Sequence, residues 1–286
     1  MFFAGAGDEQ DRCNRSLSLP GLKILSLLLA FAASHHWPAA SSLRRFDWLL
    51  AAPLRASGQG PAWLPAAILA ALSLVIGSLA MGFANWLAGL FGLLVLGVAT
   101  VVYTLGPQHL DRDIAMASNP AEPDKQQVAL ERLLLAPDST GIEAAAASLH
   151  AALGRWFGIV FWFVVLGVPG ALLYRGLREA HHCSGLKAAE RTWLGRASSW
   201  MNWPVVALMT VAIALMTDFD RVKAVFDARE DRWQLPAALL DDIARALCDP
   251  ADNLAAGLAD GRRLAWRALG LWLAVLSVLL LAGLLS

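Results

Sequence analysis

The sequence predicts an all-α integral membrane protein, a polytopic helical bundle with one broken or re-entrant helix and short amphipathic loop helices. Three observations predict it. Of the 286 residues, 57% are hydrophobic and only 16% charged, against roughly a quarter charged in a soluble domain. Mean hydropathy is +0.53. The charged residues are not spread evenly: they bracket long runs with none. A spanning helix needs about 20 apolar residues, because about 30 Å of hydrocarbon is crossed at 1.5 Å per residue, and several runs meet that length.

Between Arg55 and Asp111, residues 56–110 hold no Asp, Glu, Lys or Arg. That run is too long for one span, so two are expected, 65–84 and 86–105, hinged near Asn85. Arg196 and Asp218 bracket residues 197–217, giving a segment at about 200–217. Arg267 precedes an uncharged run to the terminus, a segment at 268–285. A further apolar stretch at 22–37 starts with Lys23 and ends in His35 and His36. It reads either as a span whose lysine snorkels towards headgroups or as a secretory signal closing on the A-x-A of Ala30 and Ala32. Residues 1–20 read as a disordered extension, and 21–286 as a single membrane domain.

The remaining segment, 156–174, carries Gly167, Pro169 and Gly170 in its middle. Proline removes a backbone donor and glycine adds freedom, so the helix is expected to break there. In lipid the freed carbonyls then need protein cover. Both a kinked span and a re-entrant hairpin fit. Orientation bears on the choice: Arg44, Arg45 and Arg55 in one stretch, and Arg175, Arg178, Lys187, Arg191 and Arg196 in another, fall on one face only if 156–174 is re-entrant.

Tryptophans such as Trp63, Trp86, Trp156, Trp200, Trp203 and Trp266 sit at or near segment ends, as indoles at a headgroup level do. Polar stretches 106–155, 175–196 and 218–267 are too short for domains with cores of their own. They read as helices lying on or beside the bundle.

The net charge is zero, which argues against nucleic acid as a partner and leaves the lipid bilayer as the expected one. No P-loop, dinucleotide fingerprint, HExxH or G-x-S-x-G motif is present, so no cofactor and no catalytic residue is expected. Cys13, Cys183 and Cys248 are odd in number and widely spaced, and read as inert thiols. His181, His182 and Cys183 are adjacent, but neighbouring side chains diverge by about 100° on a helix, so no metal site is expected. Asp218 and Asp220 read as the polar edge of a helix end. The polar groups flanking the broken segment, His150, Tyr174, Arg175, His181 and His182, form the candidate nucleus of a pocket for an anionic ligand or lipid headgroup.

The stretch WFGIVFWFVVLGVPGALLYRGL (156–177) resembles the AmpE family of bacterial inner-membrane proteins. RRFDWLL (44–50), LGPQHLDRDI (105–114), WMNWPVVAL (200–208), the DFD at 218–220 and LAWRALGLWLAVLSVLLLAGLL (264–285) are similar to its pattern in the same order. The resemblance implies a multi-pass bacterial inner-membrane protein with a non-enzymatic regulatory role, modulating β-lactamase induction alongside a muropeptide-amidase signalling pathway. AmpE proteins are also distantly similar to membrane amide synthases of cobalamin biosynthesis. That family's Glu-Asn-Thr and Asp-Ser-Met motifs are replaced here by ASLHAALGR and EAHHCSGLK, and the arginine of its Pro-Ala-Arg by Val206 in Pro204-Val205-Val206. A synthase-type enzyme and a transporter of a cell-wall fragment are the alternatives. The lack of ionisable residues inside the apolar segments weighs against the transporter.

Overall fold

The computed structural model describes residues 19–36, 46–105, 110–181, 183, 185–229, 236–249 and 253–285. Among them there is no strand; the fold is all-α. The helices are α1 (Leu19–His36), α2 (Asp47–Ala56), α3 (Leu64–Thr104), α4 (Leu110–Ala117), α5 (Pro123–Leu133), α6 (Gly141–Leu166), α7 (Val168–His181), α8 (Ala188–Met216), α9 (Phe219–Asp227), α10 (Pro236–Leu247) and α11 (Leu254–Leu285). Four of them, α3, α6, α8 and residues Leu254–Gly283 of α11, are long and apolar enough to cross a membrane. This is the build of a membrane protein. The expected extension at 1–20 falls mostly outside the described residues, as does His182.

The bundle is organised around α6 and α7, which form a helical hairpin. The helix running out ends at Leu166, and Gly167 takes φ 73°, ψ −147°, a conformation that suits glycine because a Cβ would clash there. From that point the chain returns antiparallel. A Cβ on Gly170 would strike the Trp162 carbonyl, one on Gly158 the ring of Tyr174, and one on Gly154 the Arg178 guanidinium. These three pairs step along the two helices in register, one turn at a time, with glycine on one side of each. Small residues permit this approach, and dispersion contacts between the helices reward it. Residues 156–174 therefore do not cross as one segment but turn back.

A reversal in an apolar setting leaves carbonyls without partners. Gly167 N–H still donates to Phe163 O at 2.8 Å. Val165 O cannot be served by residue 169, because proline has no N–H. The missing donors come from α1: Lys23 Nζ donates to Val164 O at 3.3 Å and Val165 O at 3.4 Å. Lys23 thus caps the broken helix. Ser26, one turn on, donates to Leu22 O at 2.8 Å and packs where a Cβ on Gly97 of α3 would sit. The α1 segment is a packed part of the bundle.

The long uncharged run forms a second hairpin. Helical geometry lapses at Ala88 (φ −144°, ψ 18°) and Gly89 (φ 55°, ψ −136°), three residues beyond the hinge expected at Asn85. A Cβ on Gly92 would meet the Ala84 carbonyl, eight residues back, so the chain reverses there too. Its first limb runs antiparallel to α7: Gly176 abuts Leu69, and Gly77 abuts Pro169 with only 2.7 Å for a Cβ. Leu79, Phe83, Trp86, Leu87 and Phe91 project outward around its tip. The α11 helix runs parallel to α6, closest where Gly257 meets Gly141 and Gly261 meets Ala145. Beyond those glycines, Trp266 packs on Trp156 and Trp272 edge-on against Phe157, with ring centroids 5.0 Å apart in each pair.

Polar contacts tie the short helices down. Asp113 of α4 is buried and pairs with Arg155 of α6 at 2.5 Å and Arg132 of α5 at 3.3 Å. Asp111 pairs with Arg262 at 2.8 Å and accepts from Trp266 Nε1 at 2.9 Å. Glu190, at the start of α8, accepts from Ser57 Oγ at 2.6 Å and Gly58 N–H at 2.8 Å. That contact brings the start of α8 against the α2–α3 turn, so Arg55 and the basic residues that open α8 lie at one end of the bundle.

Replacing Lys23 by methionine removes the charged donor from two carbonyls and is expected to cost about 2 kcal/mol. In a chain of this size that lowers the thermal midpoint in detergent by about 5 °C. Lys23→Arg should recover most of the loss. Equal midpoints for wild type and Lys23→Met would contradict the capping role.

Candidate functional site

Above the hairpin, α5, α6, α7, α8 and α10 enclose an open cavity of about 950 Å³, near the upper end of the size range for small-molecule sites. One wall is apolar, made by Leu133, Leu134, Leu135 and Ala136 after α5 and by Ile142, Ala146, Ala147 and Leu153 of α6. The rest is polar: Glu143, His150, Arg178, His181, Ser198, Ser199, Asn202, Asp241 and Arg245.

The helices bring these groups together for local reasons. The α6 helix starts at a capping box: Glu143 N–H donates to Thr140 Oγ1 at 3.3 Å, and Thr140 N–H donates to Glu143 Oε2 at 2.8 Å. Midway, residues Leu153–Phe157 form a π turn, with Gly158 N–H donating to Leu153 O. Such turns hold one extra residue and recur at functional sites. This one forms part of the cavity floor through Leu153. Leu153 O also accepts from the Tyr174 hydroxyl at 3.3 Å.

At the floor Tyr174, fully buried, donates to Asn202 Oδ1 at 2.8 Å. Because Asn202 accepts with its oxygen, its amide nitrogen has no partner among the described residues. The Arg178 guanidinium lies against Gly154, and no described carboxylate pairs with it. Ser198 and Ser199 complete the floor. Several helical hydroxyls elsewhere donate to the carbonyl four residues back, as Ser148, Thr104, Thr192, Thr217 and Ser277 do, a common local bond for serine and threonine in helices, whereas Ser73 and Thr210 have no partner among the described residues. Neither Ser198 nor Ser199 makes such a bond, and both face the cavity. The floor therefore offers donors: a guanidinium, two hydroxyls and an amide nitrogen.

Nearer the mouth the character changes. His150 Nε2 and Asp241 Oδ1 are 2.8 Å apart. Arg245 is engaged by Asp242 at 2.8 Å, which Arg229 also contacts at 3.3 Å. Leu134 takes the left-handed conformation (φ 58°, ψ 39°) at the end of α5 and is 82% exposed at the cavity rim. A leucine there is backbone strain of the kind that gathers at functional sites.

Of the sequence candidates, His150 and His181 line this cavity and Tyr174 lies directly behind its floor. Arg175 does not reach it. It pairs with Glu179 one turn away and stacks 5.7 Å from the centroid of Phe46. His182 lies outside the described residues. Sequence reading passed over Arg178, Ser198, Ser199, Asn202 and Asp241. A signal existed for most of them. Gly170, Tyr174 and Arg178 repeat every fourth residue, and Ser198, Ser199 and Asn202 form a polar stripe opening an apolar segment.

Comparison of the chain with protein-family models, with curated proteins and with solved structures finds no match. The functional reading therefore rests on the site.

Cys183, in the turn after α7, is half-buried. Burial pushes its thiol above the ordinary range, and the carboxylates of Glu179 and Asp47 push it further. The protonated form thus dominates at neutral pH, and thiolate chemistry is suppressed. With Cys13 and Cys248 changed to serine, alkylation by iodoacetamide at neutral pH should be slower than for an ordinary thiol. The rate should still be climbing where a free thiol has levelled off. A plateau at or below that pH would contradict the assignment.

Proposed function

We propose that this chain is a ligand-responsive regulatory protein of a bacterial inner membrane, multi-pass and non-enzymatic. In this reading it modulates β-lactamase induction alongside a muropeptide-amidase signalling pathway. The observation that carries the ligand-binding part is the donor-rich floor of Arg178, Ser198, Ser199 and Asn202, each partly buried, facing an apolar wall. Groups of that kind hold an oxyanion by hydrogen bonds and charge. The apolar wall adds affinity without directing chemistry. The AmpE-like blocks, which include residues 156–177 of the α6–α7 hairpin and 200–208 in the middle of α8, support the pathway. Occupancy would bear on α5 and α10, which close the cavity from outside the hairpin and carry its mouth, so a bound molecule has elements to reposition.

A second reading, a membrane enzyme of the cobalamin amide-synthase type, is favoured by one feature, the His150–Asp241 pair. A carboxylate-oriented imidazole beside an anion site is the equipment of a general base.

Deletion of the gene should change the β-lactamase response to a β-lactam inducer while leaving cobalamin prototrophy intact. Arg178→Ala should reproduce most of the deletion phenotype with the protein still in the membrane fraction. The purified protein, offered ATP, an aminopropanol and a corrinoid acid, should show no turnover. Cobalamin auxotrophy, or turnover lost in His150→Ala, would overturn the regulatory reading in favour of the synthase.

A further inference from the structure

The cavity has two electrically distinct ends. Its floor is made of donors: the Arg178 guanidinium without a described carboxylate partner, the Ser198 and Ser199 hydroxyls without a bond to the carbonyl four residues back, and the Asn202 amide nitrogen. Its mouth is made of acceptors. Asp241 uses one oxygen towards His150 and leaves the other without a partner among the described residues. Glu143 directs Oε2 to Thr140 and adds a second negative charge. The one cation at the mouth beyond the histidines, Arg245, is held by Asp242. The scale of this separation follows from α6 itself. Arg178 lies at Gly154 and Asp241 at His150, four residues apart, which is about 6 Å along the helix axis.

We infer that the ligand of this cavity is a zwitterion, with its carboxylate or phosphate on the floor at Arg178, Ser198, Ser199 and Asn202 and its ammonium group at the mouth beside Asp241. This deepens the ligand-binding reading above and rests on it. A dianion would meet Arg178 at one end but set its second charge against Asp241 and Glu143. A diamine would set a cation against the Arg178 guanidinium on a floor without a described carboxylate to neutralise it. Only the mixed-charge molecule satisfies both ends, and one orientation satisfies them together. The apolar wall of Leu133, Leu135 and Leu153 accommodates the methylenes between the charges. Like-charge contacts at either end make the selectivity as much a matter of rejection as of attraction.

The test holds length constant and varies charge. Full-length protein in a nonionic detergent is titrated with 5-aminopentanoate, pentanedioate and pentane-1,5-diamine, three five-carbon chains, with ligand-dependent thermal stabilisation as the readout. The inference predicts the amino acid to bind at least about fivefold more tightly than either symmetric compound. Arg178→Ala should remove its binding, and Asp241→Asn should bring pentanedioate level with it. An aminoalkyl phosphate of similar length in a parallel titration distinguishes a phosphate from a carboxylate at the floor. Pentanedioate binding as well as the amino acid, through Arg178, would overturn the zwitterion while leaving the anion site standing. Absence of binding by all four compounds would overturn it as well, and the regulatory reading would then be judged by the deletion phenotype alone. Retention of the preference in Asp241→Asn would also contradict the inference, since the mouth would then not be what selects the ammonium group.

Discussion

The close approach of α6 and α7 is the constraint on which the other features depend. Gly154 and Gly158 give up their side-chain space to Arg178 and Tyr174, and Gly170 comes hard against the Trp162 carbonyl. Two helices at that separation have no room for solvent or lipid between them. Once Tyr174 is seated at Gly158, its hydroxyl can reach both Leu153 O and Asn202 Oδ1. The α8 helix is thereby fixed to the hairpin by a hydrogen bond at the depth where the cavity begins. Arg178, one turn further along α7, is delivered to the floor by the same packing. The site is thus a by-product of helix packing brought about by three glycines.

The hairpin poses a problem that the rest of the bundle solves. Turning a chain in apolar surroundings strands carbonyls, and leaving each one bare costs on the order of a few kcal/mol. A lysine is an unusual answer, because an ammonium group is itself expensive to bring among apolar residues. Here its long aliphatic stem lies along apolar surface while the head meets two carbonyls left open by the break and by Pro169. The break and its cap come from sequence positions more than 140 residues apart, so neither is intelligible alone.

The legible and illegible parts of the sequence divide along physical lines. Charge-free runs identified the apolar segments, because a solvated charge is excluded from an apolar environment whatever the tertiary structure. The reversal at Gly167 to Gly170 was legible because proline and glycine act through the backbone. By contrast, the helix before Trp156 was read as a separate amphipathic piece, whereas α6 runs unbroken from Gly141 to Leu166. Its first half is built of alanines that bury against α11, and packing against a neighbour removes the need for an apolar face all round. The π turn left no sequence signal, since it follows from how Leu153 and Gly158 are held by their neighbours. At the site, His150 and His181 were found because they flank the break. Arg178 was read only as one positive charge in a basic loop, and Arg175, chosen in its place, is turned towards Glu179 and Phe46. Three residues along a helix is enough to exchange a ligand contact for a packing contact with Phe46.

The central claim is that the chain turns back at Gly167, and a distance measurement tests it directly. Spin labels placed at positions 150 and 181, in a chain otherwise free of cysteine, report the separation of two residues that line one cavity. Residues 31 apart on a continuous helix would be about 46 Å apart. The hairpin predicts a single short distance, under about 20 Å, from double electron–electron resonance in detergent or lipid nanodiscs. A dominant distance near that of the continuous helix would contradict the hairpin, and with it the cavity and the ligand assigned to it.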